Sequence, residues 1–280
     1  MRFYGKLLLC AALMLLPGTV LCEPGLTNGV YTAYIGENNW LYLQNAEGTT
    51  KYMPSVIYDL PAMDDEKLYC ISETGALWSV QLDGSASAIV SAEPTEEELS
   101  QLEETRGWTL RDGVLTVPEA NRTVERVLCA AQNGTMLYYV TENASGVCAM
   151  TAMLTDASQS LLMVPTCTVE KPVSLTVSTD YAVLVTEQRT LQLIDLQTWT
   201  VTEQAAPSEQ TATAFCHEGK LYCYTRDADG HYVVEAVLEL NSTDTARSLS
   251  NSTAAATAAP TPTATPHVTA VPTATAKATA

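Results

Sequence analysis

Along residues 30–240 the apolar side chains fall in short runs separated by Gly, Asn and Asp, and they do not recur at helical spacing. Short apolar runs bounded by turn residues predict strands, so the pattern is all-β. Residues 67–71 form one run, Glu73-Thr74-Gly75 a turn, residues 76–82 a second run, and Asp83-Gly84 a second turn. Similar units recur at 40–43 before Glu47-Gly48, at 136–140 before Gly146, and at 220–224 before Asp229-Gly230. A fifth, more degenerate unit comprises 181–185 and 190–196, and its alternation predicts one buried strand face.

With Leu41, Leu68, Leu137, Leu184 and Leu221 as register marks, the repeats lie 27, 69, 47 and 37 residues apart. Blades of a propeller use about 40–45 residues, a length that the mean interval matches and the individual intervals do not. The long interval contains Thr95 and Glu98 in capping-box spacing ahead of an acidic first turn, which predicts a short surface helix near 95–105. A hairpin follows at 110–115, either part of the same insertion or the opening of a further repeat.

The two ends of the chain read differently. In residues 1–22, Arg2 and Lys6 precede an apolar run that begins at Leu7 and is broken by Pro17-Gly18, the order of a secretory signal peptide. The run falls short of the roughly 20 residues that span a bilayer, so cleavage before Glu23 is expected and no membrane span remains. A lipid-accepting Cys22 is disfavoured by the bulky residues at 19–21. Residues 251–280 hold nine Thr, eleven Ala and four Pro, from which no core can be built. The expected organisation is therefore a signal peptide at 1–22, a folded domain at 23–248, and a disordered stalk or linker at 249–280.

Charge then narrows the function. With 32 Asp+Glu against 14 Lys+Arg, the formal charge is −18, which excludes a nucleic-acid surface built from clustered cations. Three histidines leave little for nucleophilic catalysis. His217 adjoins Cys216, but neighbours on a strand point to opposite faces, and His231 after Asp229-Gly230 reads as a hairpin residue. Asp227-Ala228-Asp229-Gly230 has part of a calcium-loop spacing without a closing Glu, so it too reads as a turn. No nucleophile, zinc, phosphate-loop or dinucleotide motif is present, and neither a cofactor nor a metal is expected.

Six cysteines remain after the signal, at 70, 129, 148, 167, 216 and 223, and most sit inside apolar runs. Buried thiols are the favoured reading, with Cys216–Cys223 across one hairpin as the disulfide to look for. Aromatic residues supply the remaining binding candidates. Trp40, Trp78, Trp108 and Trp199 are the side chains that could stack on a ligand, with Trp108 expected to be the exposed one.

The rhythm of Leu-Tyr, turn Gly and alternating Leu resembles secreted β-propellers of Gram-positive anaerobes, in particular clostridial LDL-receptor-like propellers of unknown function. The resemblance covers residues 30–240, without a YWTD tetrapeptide or a WD dipeptide. It implies a propeller fold, an exported location and a display or binding role, and it carries over no catalytic residue. A length of about 220 residues makes about five blades of average size, in a propeller that is complete, incomplete or replaced by a related sandwich or open repeat. The function expected is a noncatalytic binding or display module at the bacterial cell envelope, with a protein or glycan as partner. Two rivals are an envelope hydrolase or lyase with carboxylates gathered in the propeller funnel, and a structural or sensory ectodomain.

Overall fold

The structure, a computed structural model, describes residues 23–48, 50–156 and 164–240. The signal peptide, the stalk and both domain boundaries lie outside the described residues.

The described chain is a succession of antiparallel meanders. The first contains β1 (Gly25–Thr27), β2 (Tyr31–Ile35), β3 (Trp40–Asn45) and the first half of β4 (Thr50–Met63). The second half of β4 opens the next meander, with β5 (Lys67–Ser72), β6 (Leu77–Gln81) and β7 (Ser87–Ser91). The ladder shifts along β4 between Ile57 and Asp59 and again between Asp59 and Ala62. Pro61 lies in the second shift, and a residue without an N–H is tolerated in a strand at such irregularities. One long strand thus serves two meanders.

A single helix follows, α1 (Glu96–Glu104), and its capping box is in place. The Glu98 backbone N–H donates to Thr95 Oγ1 at 3.2 Å, and the Thr95 N–H donates to Glu98 Oε2 at 2.8 Å. Leu99 and Leu102 turn inward onto Ala62 and Leu77, which fixes the helix on the second meander. The predicted hairpin after it becomes a separate three-stranded sheet of β8 (Thr109–Arg111), β9 (Val114–Val117) and β10 (Arg122–Glu125).

Three further meanders complete the described chain. The fourth contains β11 (Val127–Asn133), β12 (Met136–Glu142), β13 (Cys148–Leu154) and β14 (Thr166–Val169). The fifth contains β15 (Pro172–Val177), β16 (Tyr181–Thr186), β17 (Thr190–Asp195) and β18 (Val201–Ala205). The sixth has three strands, β19 (Thr213–His217), β20 (Lys220–Arg226) and β21 (Tyr232–Glu239). The fold is all-β with propeller-like repeats, as the apolar pattern indicated.

The uneven intervals now have a cause. Leu68, Leu137, Leu184 and Leu221 all lie on the second strand of their meanders, whereas Leu41 lies on the third strand of its own. That offset shortens the first interval. The next interval is long because it spans the helix and the whole β8–β10 sheet.

Alternation on the strands stacks the fourth, fifth and sixth meanders in turn. On β16, Ala182 and Leu184 enter the core shared with Val140 and Met150, while Val183 and Val185 enter the one shared with Ala214, Cys216 and Leu221. A strand buried on both faces in this way is a middle layer. The sixth meander in turn packs on the first, where Phe215, Tyr222 and Tyr224 join Ile35, Leu41 and Leu43. Tyr224 donates its hydroxyl to Ile35 O at 2.6 Å and Asn39 donates Nδ2 to Tyr232 O at 2.7 Å, so the closure is polar as well as apolar. Gly25 belongs to this contact, since a Cβ there would lie 2.4 Å from Phe215 Cδ2.

All six described cysteines are free thiols. The expected Cys216–Cys223 bridge is not formed, because Cys216 pairs with Leu221 and Cys223 with Ala214. A diagonal pair in an antiparallel ladder is about 7–8 Å apart, beyond the span of an unstrained disulfide. Burial pushes the Cys70, Cys216 and Cys223 thiols up to about 12.

Candidate functional site

A cavity of about 710 Å³ lies where β1, the β4–β5 turn, the segment after α1 and the β11–β12 turn converge. Its floor is set by backbone pairing. Glu23 and Leu60 exchange backbone hydrogen bonds of 3.3 and 3.0 Å, and this bridge delivers the Glu23 side chain into the interior. Arg106, just beyond α1, reaches the same place from the other side.

The two floor side chains form an ion pair, with Arg106 Nη1 at 3.7 Å from Glu23 Oε1 and side-chain exposures of 7% and 13%. Arg106 also donates Nε to Pro61 O at 3.1 Å, donates Nη2 to the same carbonyl, and lies over the Trp108 ring. Desolvation outweighs the attraction of the guanidinium, and it pushes the Glu23 carboxyl up from 4.5 to about 7. A carboxyl of this kind changes charge near neutrality.

The walls are amide-rich. The Trp108 indole donates to Gln132 Oε1 at 2.7 Å, and Gln132 Nε2 donates to Gly134 O at 2.7 Å. Asn28 Nδ2 donates to Asp64 O and Asn133 Nδ2 to Ser178 O, which ties the wall to neighbouring turns. Gly134 sits at φ +56 with the Asn28 carbonyl 3.1 Å from where a Cβ would stand, so the two turns meet backbone to backbone. Asp64, Asp65 and Thr135 stand at the rim.

Of the four tryptophans expected to bind, only Trp108 lines this cavity, and it is 3% exposed, not the exposed one of the four. Its indole packs with Leu115, Val117 and Val127, which the sequence could not show because β8–β10 is a separate sheet. Trp40 is half-buried at the start of β3. Trp78 packs against the first core with its indole nitrogen buried. Trp199, at φ +58, stacks on Tyr138 at 6.2 Å. The four are not brought together. Glu23 and Arg106, which the sequence did not mark as a pair, are far apart in the chain and meet only through the fold.

Two smaller features were legible beforehand. His217 packs at 4.7 Å from the Tyr34 ring while Cys216 faces the Val183 and Val185 core, so the strand does separate the adjacent side chains. Asp227 accepts the backbone N–H groups of Asp229 and His231 at 2.9 and 3.0 Å, the geometry of a hairpin turn. Asp227, Asp229 and His231 bring their ligand atoms within 4.8 Å of one another, and His231 stacks on Tyr58 at 4.3 Å. With Asp227 engaged by the turn, the group serves the hairpin.

No family model and no curated protein matches the chain. Solved structures do match. A Kluyveromyces lactis Hsv2 with complete loop 6CD is 11% identical over 71% of this chain and 55% of that one, at a TM-score of 0.31. The form described as KlHsv2 with loop 6CD replaced by a Gly-Ser linker is 10% identical over 77% and 83%, at 0.30. BamB from Moraxella catarrhalis is 11% identical over 75% and 83%, at 0.27. Superpositions at this level carry no argument here, and the propeller-like description rests on the meanders themselves.

Proposed function

We propose that this chain is a noncatalytic, exported binding or display module at the bacterial cell envelope, with the Thr/Ala/Pro-rich C-terminal segment as a spacer. The observation that carries the reading is the cavity, whose volume falls within the range of small-ligand sites and whose floor holds a buried ion pair. Residues 1–22 support export through their signal-peptide order.

The hydrolase reading draws on Glu23, whose carboxyl near neutrality suits a general acid. Hydrolysis of a glycoside needs a second carboxylate facing the same bond. Asp59, the other carboxyl pushed up to about 7, does not line the cavity, Asp64 Oδ1 already accepts the N–H groups of Glu66 and Lys67, and Asp65 is a solvent-exposed residue of the rim. Binding without turnover is the better fit to these residues.

The test is incubation of the full chain with cell-wall, glycan and envelope-protein fractions, beside a Thr135→Trp variant that fills the cavity from its exposed rim. Saturable retention that Thr135→Trp abolishes supports the reading. Retention unchanged by the variant, or release of a cleaved product, overturns it.

A further inference from the structure

The turn at Asp227-Ala228-Asp229-Gly230 lacks the closing Glu of a calcium loop, and the fold supplies a third donor of another kind. His231 brings a ring nitrogen, and one ligand atom from each of Asp227, Asp229 and His231 lies within 4.8 Å of the others. His231 Nδ1 stands 3.8 Å from Asp227 Oδ1, beyond hydrogen-bond length, so that nitrogen keeps its lone pair for another partner. Serving the hairpin takes Asp227 Oδ1 alone, which accepts the Asp229 and His231 N–H groups. Among the described residues no hydrogen bond engages the exposed Asp229 carboxylate.

Observations on β4, outside the turn, point to a cation. The Tyr58 ring lies on the His231 ring at 4.3 Å and 11°, which fixes the plane of the imidazole and hence the direction of its nitrogen. The next residue, Asp59, is buried with an unpartnered Oδ1 and lies close enough to Asp227 for the two carboxylates to repel. Glu73, Asp227 and Asp229 all act on the Tyr58 hydroxyl, adding to the rise that burial causes. Against these acids stands Arg226, whose guanidinium is spent on Gly230 O, the Tyr232 hydroxyl and the Tyr232 ring. Negative charge is thus gathered around an oriented nitrogen.

We propose that Asp227, Asp229 and His231 form a binding site for a divalent transition-metal ion of the zinc class on the β20–β21 hairpin, with the remaining coordination positions open to water. Calcium and magnesium take oxygen ligands, whereas imidazole beside carboxylates suits zinc and its neighbours. A tetrahedral ion about 2.1 Å from each ligand holds them about 3.4 Å apart, so the donors close inward from 4.8 Å. Rotation of Asp229, an exposed turn side chain, supplies that movement. Tyr58 is a positioning residue, and through it the ion would tie the sixth meander to β4.

Equilibrium dialysis of the full chain against zinc chloride and, separately, calcium chloride tests this, with His231→Phe and Asp229→Asn alongside. His231→Phe keeps an aromatic ring over Tyr58 and removes the nitrogen, and Asp229→Asn keeps the backbone N–H that Asp227 accepts. Wild type is expected to bind one zinc ion saturably, about tenfold or more tightly than calcium, and each variant to bind it about tenfold or more weakly. No saturable zinc binding, zinc held no better than calcium, or zinc binding that either substitution leaves unchanged overturns the proposal. None of the three residues lines the cavity, so this outcome and that of the Thr135→Trp experiment are read separately.

Discussion

Replacing Asp59 with Asn should remove most of one proton's worth of pH dependence from the folding equilibrium. Asp59 lies on β4, is 7% exposed, and its Oδ1 has no hydrogen-bond partner. Burial pushes its carboxyl up from 3.8 to about 7, with Arg226 pulling it down and Asp227 adding to the rise. The folded state thus holds the proton more tightly than the unfolded chain. Stability is greatest below about 3.8, falls as pH rises toward about 7, and levels off once both states are ionised. Integrated over that window, at about 1.4 kcal/mol per decade, the penalty approaches an upper figure of about 4 kcal/mol above neutrality.

Asn has nearly the same shape and carries no charge at any pH, and Arg226 keeps its bonds to Gly230 O and the Tyr232 hydroxyl. Urea unfolding of wild type and Asp59→Asn at pH 5, 6, 7 and 8 reads the difference directly. Because Glu23 is displaced in the same direction, the wild type should lose stability with a slope near two protons between about pH 5 and 6.5. Asp59→Asn should show about one, and it should be the more stable protein at pH 8 by about 2 kcal/mol or more. Parallel pH profiles, or a variant less stable than wild type at pH 8, would refute the reasoning.

Gly25→Ala should cost about 3 kcal/mol in chemical denaturation, since the new Cβ meets the fully buried Phe215 ring at 2.4–2.7 Å and neither strand can yield cheaply. Thr95→Ala should cost about 1 kcal/mol by removing the capping box of α1, with hydrogen exchange faster in 96–104 and unchanged in β16. Peptide mapping after brief alkylation of the native protein should find Cys70, Cys216 and Cys223 unmodified, and denaturant should expose all three. Rapid native labelling of any of them would contradict their burial.

Which segments become strands, where they turn, and that one capped helix interrupts them are local matters. They depend on alternation, on Gly and Asn at positive φ, and on the Thr95–Glu98 spacing, all of which neighbouring residues carry. The same locality explains why the Asp227 hairpin and the opposite facing of Cys216 and His217 could be read without coordinates. The repeat was legible as a rhythm, but its phase was not. A leucine on a second strand and one on a third look alike in sequence, and only pairing shows that Leu41 belongs to the latter.

The site was beyond that reach. Trp108 looked exposed because Gly107 and a polar helix precede it, and it is the packing of β9 and β11 that buries it. Glu23 and Arg106 carry no motif, and their pairing depends on Glu23 bridging to Leu60 ahead of β1 while α1 docks on β4 and β6. Sequence by itself determined the strands, turns, charge and helix cap, because each is decided within a few residues. Only the tertiary structure decided which thiols stay apart, where a buried carboxylate meets a guanidinium, and that a cavity stands above them, because desolvation and contact between distant strands exist only once the chain has closed on itself.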